Sequence, residues 1–379
     1  MDFRFNEEQE ELRAMAKTLL EEKNNSDSIR KAMESDLGWD PSLWKQISSE
    51  LGWASVHIPE EYGGLGLGYV ELVALMEIMG ASLLCAPFLS SVVLGANALL
   101  EAGDEKQKEN YLPDIAEGTS RSALAFAGLQ GGTGAESVGA TVQRNGDAFA
   151  LEGQYGFVLD GHSADCLILA ARSPGSQGED GVSLFVVPAE TEGLERRALP
   201  TMDQTRRLAQ IDLNQVKLPA SALLGHWESG GPALNRSLDL SAIALSAEQV
   251  GGAQSCLDMS VAYALEREQF GRAIGSFQAI KHKCADMMVL VESARSAAYY
   301  AACVANERSD ELAVCASLSK AYASDAYFQC AADAIQIHGG VGFTWEYDIH
   351  LHFKRARSSE HFLGDPTHHR ENVAREIGL

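Results

Sequence analysis

"YALEREQFGRAIGSFQAIKHKCADM" at Tyr263–Met287 and "DAIQIHGGVGFTWEYDIHLHFKRAR" at Asp333–Arg357 decide how this chain folds. In the second stretch Gly339 and Gly340 follow a long helical run that carries a polar Gln336, and another helical run comes after them. Glycines at such a junction let a phosphate approach the backbone, and the amides that open the next helix favour its charge. The same glycines also suit an ordinary helix end. Lys354, Arg355 and Arg357 in "FKRAR" supply either a local positive patch or a solvated helix face.

Working outward, helical spacing runs from Trp227 to the C-terminus, with breaks at Arg308-Ser309-Asp310 and at Gly339-Gly340. Residues 6–117 are helical as well: Leu12, Met15, Ala16, Leu19 and Leu20 recur behind a cap at Asn6, with Gln9 three residues on. Between them, Arg121–Gly225 reads as short β-rich runs such as "CLILAAR" and "VSLFVVP", separated by turn pairs at Asn145-Gly146 and Asp160-Gly161. The expected architecture is α+β in three parts: an N-terminal helical domain (1–120), a middle β-barrel or sandwich (121–226) and a C-terminal helical bundle (227–379). Gly63–Gly68 does not match GxGxxG and follows no strand, so it reads as a loop between helices. Arg172–Gly181 reads as a flexible loop.

A chain of 379 residues, 46% of them hydrophobic, can bury a large core. Its net charge of −23 speaks against nucleic acid or an anionic membrane as partner, because both need clustered Lys and Arg. The seven cysteines are scattered, with no CxxC pair, which suits reduced thiols in a cytosol. The opening "MDFRFNEEQEELRAM" shows no charged-then-apolar leader, and a cytoplasmic location is expected. His350 and His352 would diverge on a helix, so no metal site is expected among the C-terminal histidines. No GxSxG elbow occurs either.

The two quoted stretches, together with "IPEEYGGLGLGYVELVALMEIMG" (Ile58–Gly80) and "RNGDAFALEGQYGFVLDGHSADCLILAAR" (Arg144–Arg172), resemble the acyl-CoA dehydrogenase family over nearly the whole chain. The resemblance implies a C-terminal four-helix bundle and an FAD that lies across a subunit interface. On the side that reaches a neighbour's cofactor it implies Arg267, Gln269, Phe270, Phe277 and Gln278, and a loop formed by Gln336, Ile337, His338, Gly339 and Gly340. An arginine can make paired hydrogen bonds to a pyrophosphate, and an aromatic ring can pack on the cofactor.

The other half of the family's site is replaced. Ala127, Gly128 and Leu129 stand where the family has threonine, glutamate and proline, Leu159 stands where a hydroxyl would bond the flavin, and Thr133 falls on a thioester-contacting serine. Leu363 takes the place of the common catalytic glutamate, and Ser241 with Ala242 that of the alternative glutamate and its arginine, so no catalytic carboxylate is expected at either position. Glu360, Asp365 and Glu248 are the candidates for a relocated base, Glu360 first among them; acids such as Glu360 and Asp365 are also common near the surface at a helix start. The pattern is similar to the base-lacking subunit of heterotetrameric bacterial acyl-CoA dehydrogenases of steroid side-chain degradation, most of all in Gly342–Asp365. That similarity implies a paralogous partner subunit whose glutamate removes the acyl α-proton, an acyl-CoA substrate, hydride transfer to FAD and electron-transfer flavoprotein as acceptor. Two alternatives are an active homo-oligomer with a relocated base and a cofactor-free acyl-CoA-binding scaffold.

Overall fold

The computed structural model describes residues 6–379. The expectation of no leader rests partly on Met1–Phe5, which lie outside the described residues. Helix Glu7–Lys23 begins with the predicted capping box: Gln9 N donates to Asn6 Oδ1 at 2.8 Å and Asn6 N donates to Gln9 Oε1 at 3.0 Å. Glu7, Glu8 and Glu10 add negative charge where the helix dipole favours it. Its buried stripe is narrower than predicted, since Ala16 and Leu20 are buried while Met15 is exposed.

The chain falls into two compact units, each discontinuous in sequence. One gathers the chain up to Lys31, Tyr69–Leu84 and Ala242–Leu379; the other gathers Ala32–Gly68 and Cys85–Ser241. The division between Ser241 and Ala242 falls inside one long helix, Gly230–Glu266.

The second unit holds the β domain. Among the described residues its strands form one eight-stranded sheet, ordered Leu194–Leu199, Leu208–Pro219, Ala148–Leu159, Ala140–Asn145, Cys166–Arg172, Val182–Pro188, Leu223–Leu224, with Ser122–Ala125 parallel to Cys166–Arg172. Ala140–Asn145 and Ala148–Leu159 form a hairpin whose turn residues are Gly146 and Asp147, one position later than the predicted pair. Alternate residues along these strands, among them Leu151, Leu167, Phe185 and Ile211, bury into one core, where Tyr155 donates its hydroxyl to Ala170 O at 2.8 Å. Ala148–Leu159 shifts register twice against Leu208–Pro219, at Leu151/Gly153 and at Tyr155/Val158. The second irregularity places Phe157 at φ +57, with its ring half exposed.

The first unit is helical, built on Gly230–Glu266 from Ala242 onward, Gln278–Asn306, Leu312–His338, Ile349–His361 and Pro366–Glu376. Tyr69–Ala81 crosses the first of these at backbone contact: a Cβ on Gly80 would lie 1.9 Å from Glu248 O, and one on Gly251 would lie 1.8 Å from Glu77 O. Only glycine fits at both places. Gly251 and Gly252 therefore serve packing inside the chain, against Glu77 and Tyr327. No helix among the described residues is long and apolar enough to cross a membrane.

Candidate functional site

The Arg267–Phe277 segment is a small, rigid projection. Glu268–Gln269 pairs antiparallel with Arg272–Ala273, which leaves Phe270 and Gly271 as the two turn residues, at φ +54 and +76. Two successive positive φ values mark a type I′ turn, easy for glycine and unfavourable for phenylalanine. Phe270 is nevertheless placed there and is 93% exposed. Its ring meets Phe277 edge-on at 6.1 Å, and the Arg272 guanidinium sits 4.1 Å above the Phe277 ring. Ile274 N donates to Arg267 O at 2.7 Å, tying the hairpin base, while the Arg267 side chain is exposed and has no partner among the described residues. Arg267 and Phe270 are thus both exposed on one short hairpin.

The helix Leu312–His338 ends at Gly339, with φ +64 and ψ −141, and a Cβ on Gly339 or Gly340 would meet nothing within 4 Å. The backbone here is open to a ligand. Gln336 is exposed, as are Gln269 and Gln278, whereas Ile337 and His338 turn inward. His338 stacks on Tyr263 at 4.3 Å and donates from Nδ1 to Ala334 O at 2.8 Å, and burial lowers its pKa. Through this stack the two stretches that open the sequence analysis meet. Lys283 and Asp333 add an ion pair between their helices.

"FKRAR" divides between one buried cation and two partly exposed ones. Arg355 is only 2% exposed and donates to the buried Glu248 at 2.5 Å; Arg357 pairs with Glu360 at 2.5 Å; Lys354 lies 4.8 Å from the Trp345 ring. Arg355 and Arg357 are thus charge-paired, while Lys354 rests on an aromatic ring. Glu248 is the buried counter-ion of Arg355. Asp365 caps the helix Pro366–Glu376 by accepting from His368 N at 2.8 Å, and this bond lowers its pKa. The three carboxylates weighed as relocated bases, Glu360, Asp365 and Glu248, are all engaged.

Leu363 sits at φ +59, followed by Gly364 at φ +100. The turn is held from inside. Fully buried Lys320 donates to Glu360 O at 3.2 Å, Gly364 O at 3.0 Å and Ser324 Oγ at 2.9 Å, and buried His369 donates from Nε2 to Leu363 O at 2.9 Å. Sequence reasoning missed both residues; the only trace of Lys320 is its place among small residues in "SLSKAYASD". In the other unit, Ser241 is buried and donates its hydroxyl to Ser237 O at 2.7 Å, a bond within its own helix.

In the β domain, Gly156 N donates to Ala127 O at 3.1 Å, which brings Ala127–Leu129 beside the irregular end of Ala148–Leu159. Ala127 and Leu159 are buried, Leu129 is exposed, and none of Ala127, Gly128, Leu129 and Leu159 carries a hydroxyl or carboxyl side chain. A guanidinium, an aromatic ring and open glycine amides are the kinds of group that can contact an anionic dinucleotide.

Residues 6–119 match the family model for the acyl-CoA dehydrogenase N-terminal domain, and residues 228–378 match that for its C-terminal domain. The chain is similar to acyl-CoA dehydrogenase IpdE2 of Mycolicibacterium smegmatis, 34% identical over 98% of this chain and 99% of that protein. Among solved structures it is similar to butyryl-CoA dehydrogenase from Megasphaera elsdenii, at 27% identity over the full length of both chains and a TM-score of 0.91. It is also similar to a chain of the ChsE4-ChsE5 complex from Mycobacterium tuberculosis, at 28% identity over 100% of this chain and 99% of that one, with a TM-score of 0.90.

Proposed function

Since the chain belongs to the acyl-CoA dehydrogenase family, we propose that it works as the base-lacking subunit of a hetero-oligomeric enzyme that oxidises an acyl-CoA thioester at the α,β-bond. One observation carries this reading: the helical unit turns Arg267, Phe270 and the open Gly339-Gly340 backbone outward, while the buried Leu363 in the same unit leaves no carboxylate at the family's base position. When bound, the flavin supplies the hydride acceptor. This chain's share is to hold the adenosine-pyrophosphate end of an FAD whose ring lies in the partner, with Arg267 and the Gly339-Gly340 amides as the anion contacts. The α-proton goes to the partner's glutamate. Likeness to a chain of the ChsE4-ChsE5 complex supports pairing with a paralogue, and the Gly342–Asp365 run supports a steroid-derived acyl group. The three-part division at 120/121 and 226/227, a cytoplasmic location and electron-transfer flavoprotein as acceptor belong to the same reading.

The visible spectrum tests it. The chain purified alone should be colourless, and co-expression with a base-bearing paralogue should give a yellow complex that bleaches with acyl-CoA. Yellow protein from the chain alone, bleached by substrate, would identify an active homo-oligomer and overturn the proposal.

A further inference from the structure

We propose that Tyr263, His338 and Tyr347 are positioning residues: by stacking the end of one helix on the end of another, they lock the Arg267 hairpin to the Gly339-Gly340 turn as one preformed clamp for a dinucleotide. The inference rests on the subunit reading above, in which these two segments together hold the adenosine-pyrophosphate end of the cofactor.

Each segment is stiff by itself and fastened to its own helix. The hairpin grows directly from the last turn of Gly230–Glu266, where Arg267 N donates to Tyr263 O at 2.8 Å. Its exit is pressed against that same turn, since a Cβ on Gly275 would lie 2.9 Å from Ala264 O. The glycine turn is fastened to Leu312–His338 in a similar way. Gly339 N donates to Ile335 O, and Gly342 folds back so closely that a Cβ there would lie 3.2 Å from His338 Cβ. Gly339, at φ +64 and ψ −141, takes a conformation that glycine adopts readily and other residues do not, so the chain leaves the helix sharply right after His338.

Backbone bonds thus fix each piece on its own helix, and side-chain rings fix the two pieces on each other. The His338 ring lies on that of Tyr263 at 4.3 Å between centroids and 22° between planes. Tyr347, beyond the turn, closes the edge of both, at 6.3 Å and 89° to Tyr263 and at 5.9 Å and 67° to His338. The His338 ring is not free to rotate out of the stack, because it is buried and its Nδ1 donates to Ala334 O at 2.8 Å. A histidine suits the place for this reason: it supplies a flat face for stacking and a donor that sets the plane. The groups so aligned, a guanidinium and an open glycine backbone, stand on different helices. Held at a fixed spacing before a ligand arrives, they bind it with less ordering left to be done.

The test compares His338→Asn, which keeps a donor for Ala334 O and loses the stack, with His338→Phe, which keeps a ring and loses the donor. In the full chain alone, hydrogen exchange is followed at Ile274 N, which closes the hairpin on Arg267 O, and at Thr344 N, which bonds Val341 O at 3.0 Å beyond the glycines. Both amides should exchange faster in His338→Asn by about three- to tenfold, the scale of one aromatic pair, and return toward the native rate in His338→Phe. Should His338→Asn fail to fold, Tyr263→Leu and Tyr263→Phe make the same comparison from the other ring. In the complex with the base-bearing paralogue, FAD is titrated into His338→Asn, Arg267→Ala and the double variant. The double variant should lose less affinity than the product of the two single losses, because the guanidinium is already misplaced once the stack is gone. Exchange that quickens at Thr344 while Ile274 keeps its native rate overturns the lock, and so does a double variant whose loss equals that product. Joint loosening of both amides with native FAD affinity in every variant would uphold the lock and overturn the reading that these segments hold the cofactor.

Discussion

Arg355 Nη1 donates to Glu248 Oε1 at 2.5 Å, with both side chains buried in the helical unit. Such a pair holds its partners together without adding much to stability, because desolvation of two charges offsets their attraction. Removing one partner leaves an uncompensated buried charge. Glu248→Gln or Arg355→Met alone should therefore lower unfolding free energy by about 3–5 kcal/mol, while Glu248→Leu combined with Arg355→Met should recover most of it. Urea titrations of the two single variants and the double variant check this. A loss in the double variant equal to the sum of the two single losses would mean that the pair is not coupled.

Buried histidines make the fold sensitive to acid. Burial lowers the pKa of His57 to about 4 and, with Arg355 nearby, that of His352 to about 3; burial and Lys320 lower that of His369 to about 3. Each is depressed below its ordinary value of about 6.5 in an unfolded chain, so below that pH the unfolded state binds protons that the folded state refuses. The stability is complete above pH 6.5 and is lost as pH falls toward 4, by about 1.4 kcal/mol per pH unit for each histidine. His352→Asn keeps an acceptor for the Tyr327 hydroxyl that now bonds His352 Nδ1 at 2.9 Å. Comparing denaturation at pH 7 and pH 5, the variant should show a slope shallower by one histidine's share.

The order of helices, strands and helices was legible because the hydrophobic period changes at residues about 120 and 226, and period is a local property of sequence. Asn6 and Gln9 were legible for the same reason, since both partners of the cap lie within four residues. Arg355 was not. Its partner lies 107 residues away, and a run of Lys and Arg on a helix looks solvated until the other side is known. Gly80 and Gly251 gave no sign that each exists to admit the other helix's backbone. In the candidate site, residue types at Arg267, Phe270 and Gly339 could be read in advance, but the inward turn of Ile337 and His338 and the clamp on Leu363 come from packing.

Arg267→Ala probes the retained half-site. If its exposed guanidinium meets the pyrophosphate in the assembled enzyme, the variant complex should hold flavin more weakly by about 1.5–3 kcal/mol, the range of a charged hydrogen bond. Since the hairpin is tied through the backbone of Arg267, its conformation should survive the substitution. Fluorescence titration of released FAD gives the number. Unchanged occupancy would remove Arg267 from the cofactor site.

Leu363→Glu separates a missing base from a missing ring pocket. A positioned general base contributes about 10²–10⁴-fold, so restoring a carboxylate should reveal activity in the isolated chain if the base were the only loss. The turn itself is not the obstacle, because Lys320 and His369 hold its carbonyls whatever side chain stands at 363. What is absent is a polar cradle for the acceptor: Leu159 cannot donate a hydrogen bond from its side chain, and Ala127–Leu129 offer no hydroxyl or carboxylate. The new carboxylate would also replace a buried leucine, at the cost of desolvating a charge. We therefore expect no bleaching when Leu363→Glu protein is mixed anaerobically with FAD and butyryl-CoA in the absence of a partner. Rapid loss of the flavin absorbance in that mixture would show the ring pocket to be intact in this chain, and the division of labour between two subunits would have to be abandoned.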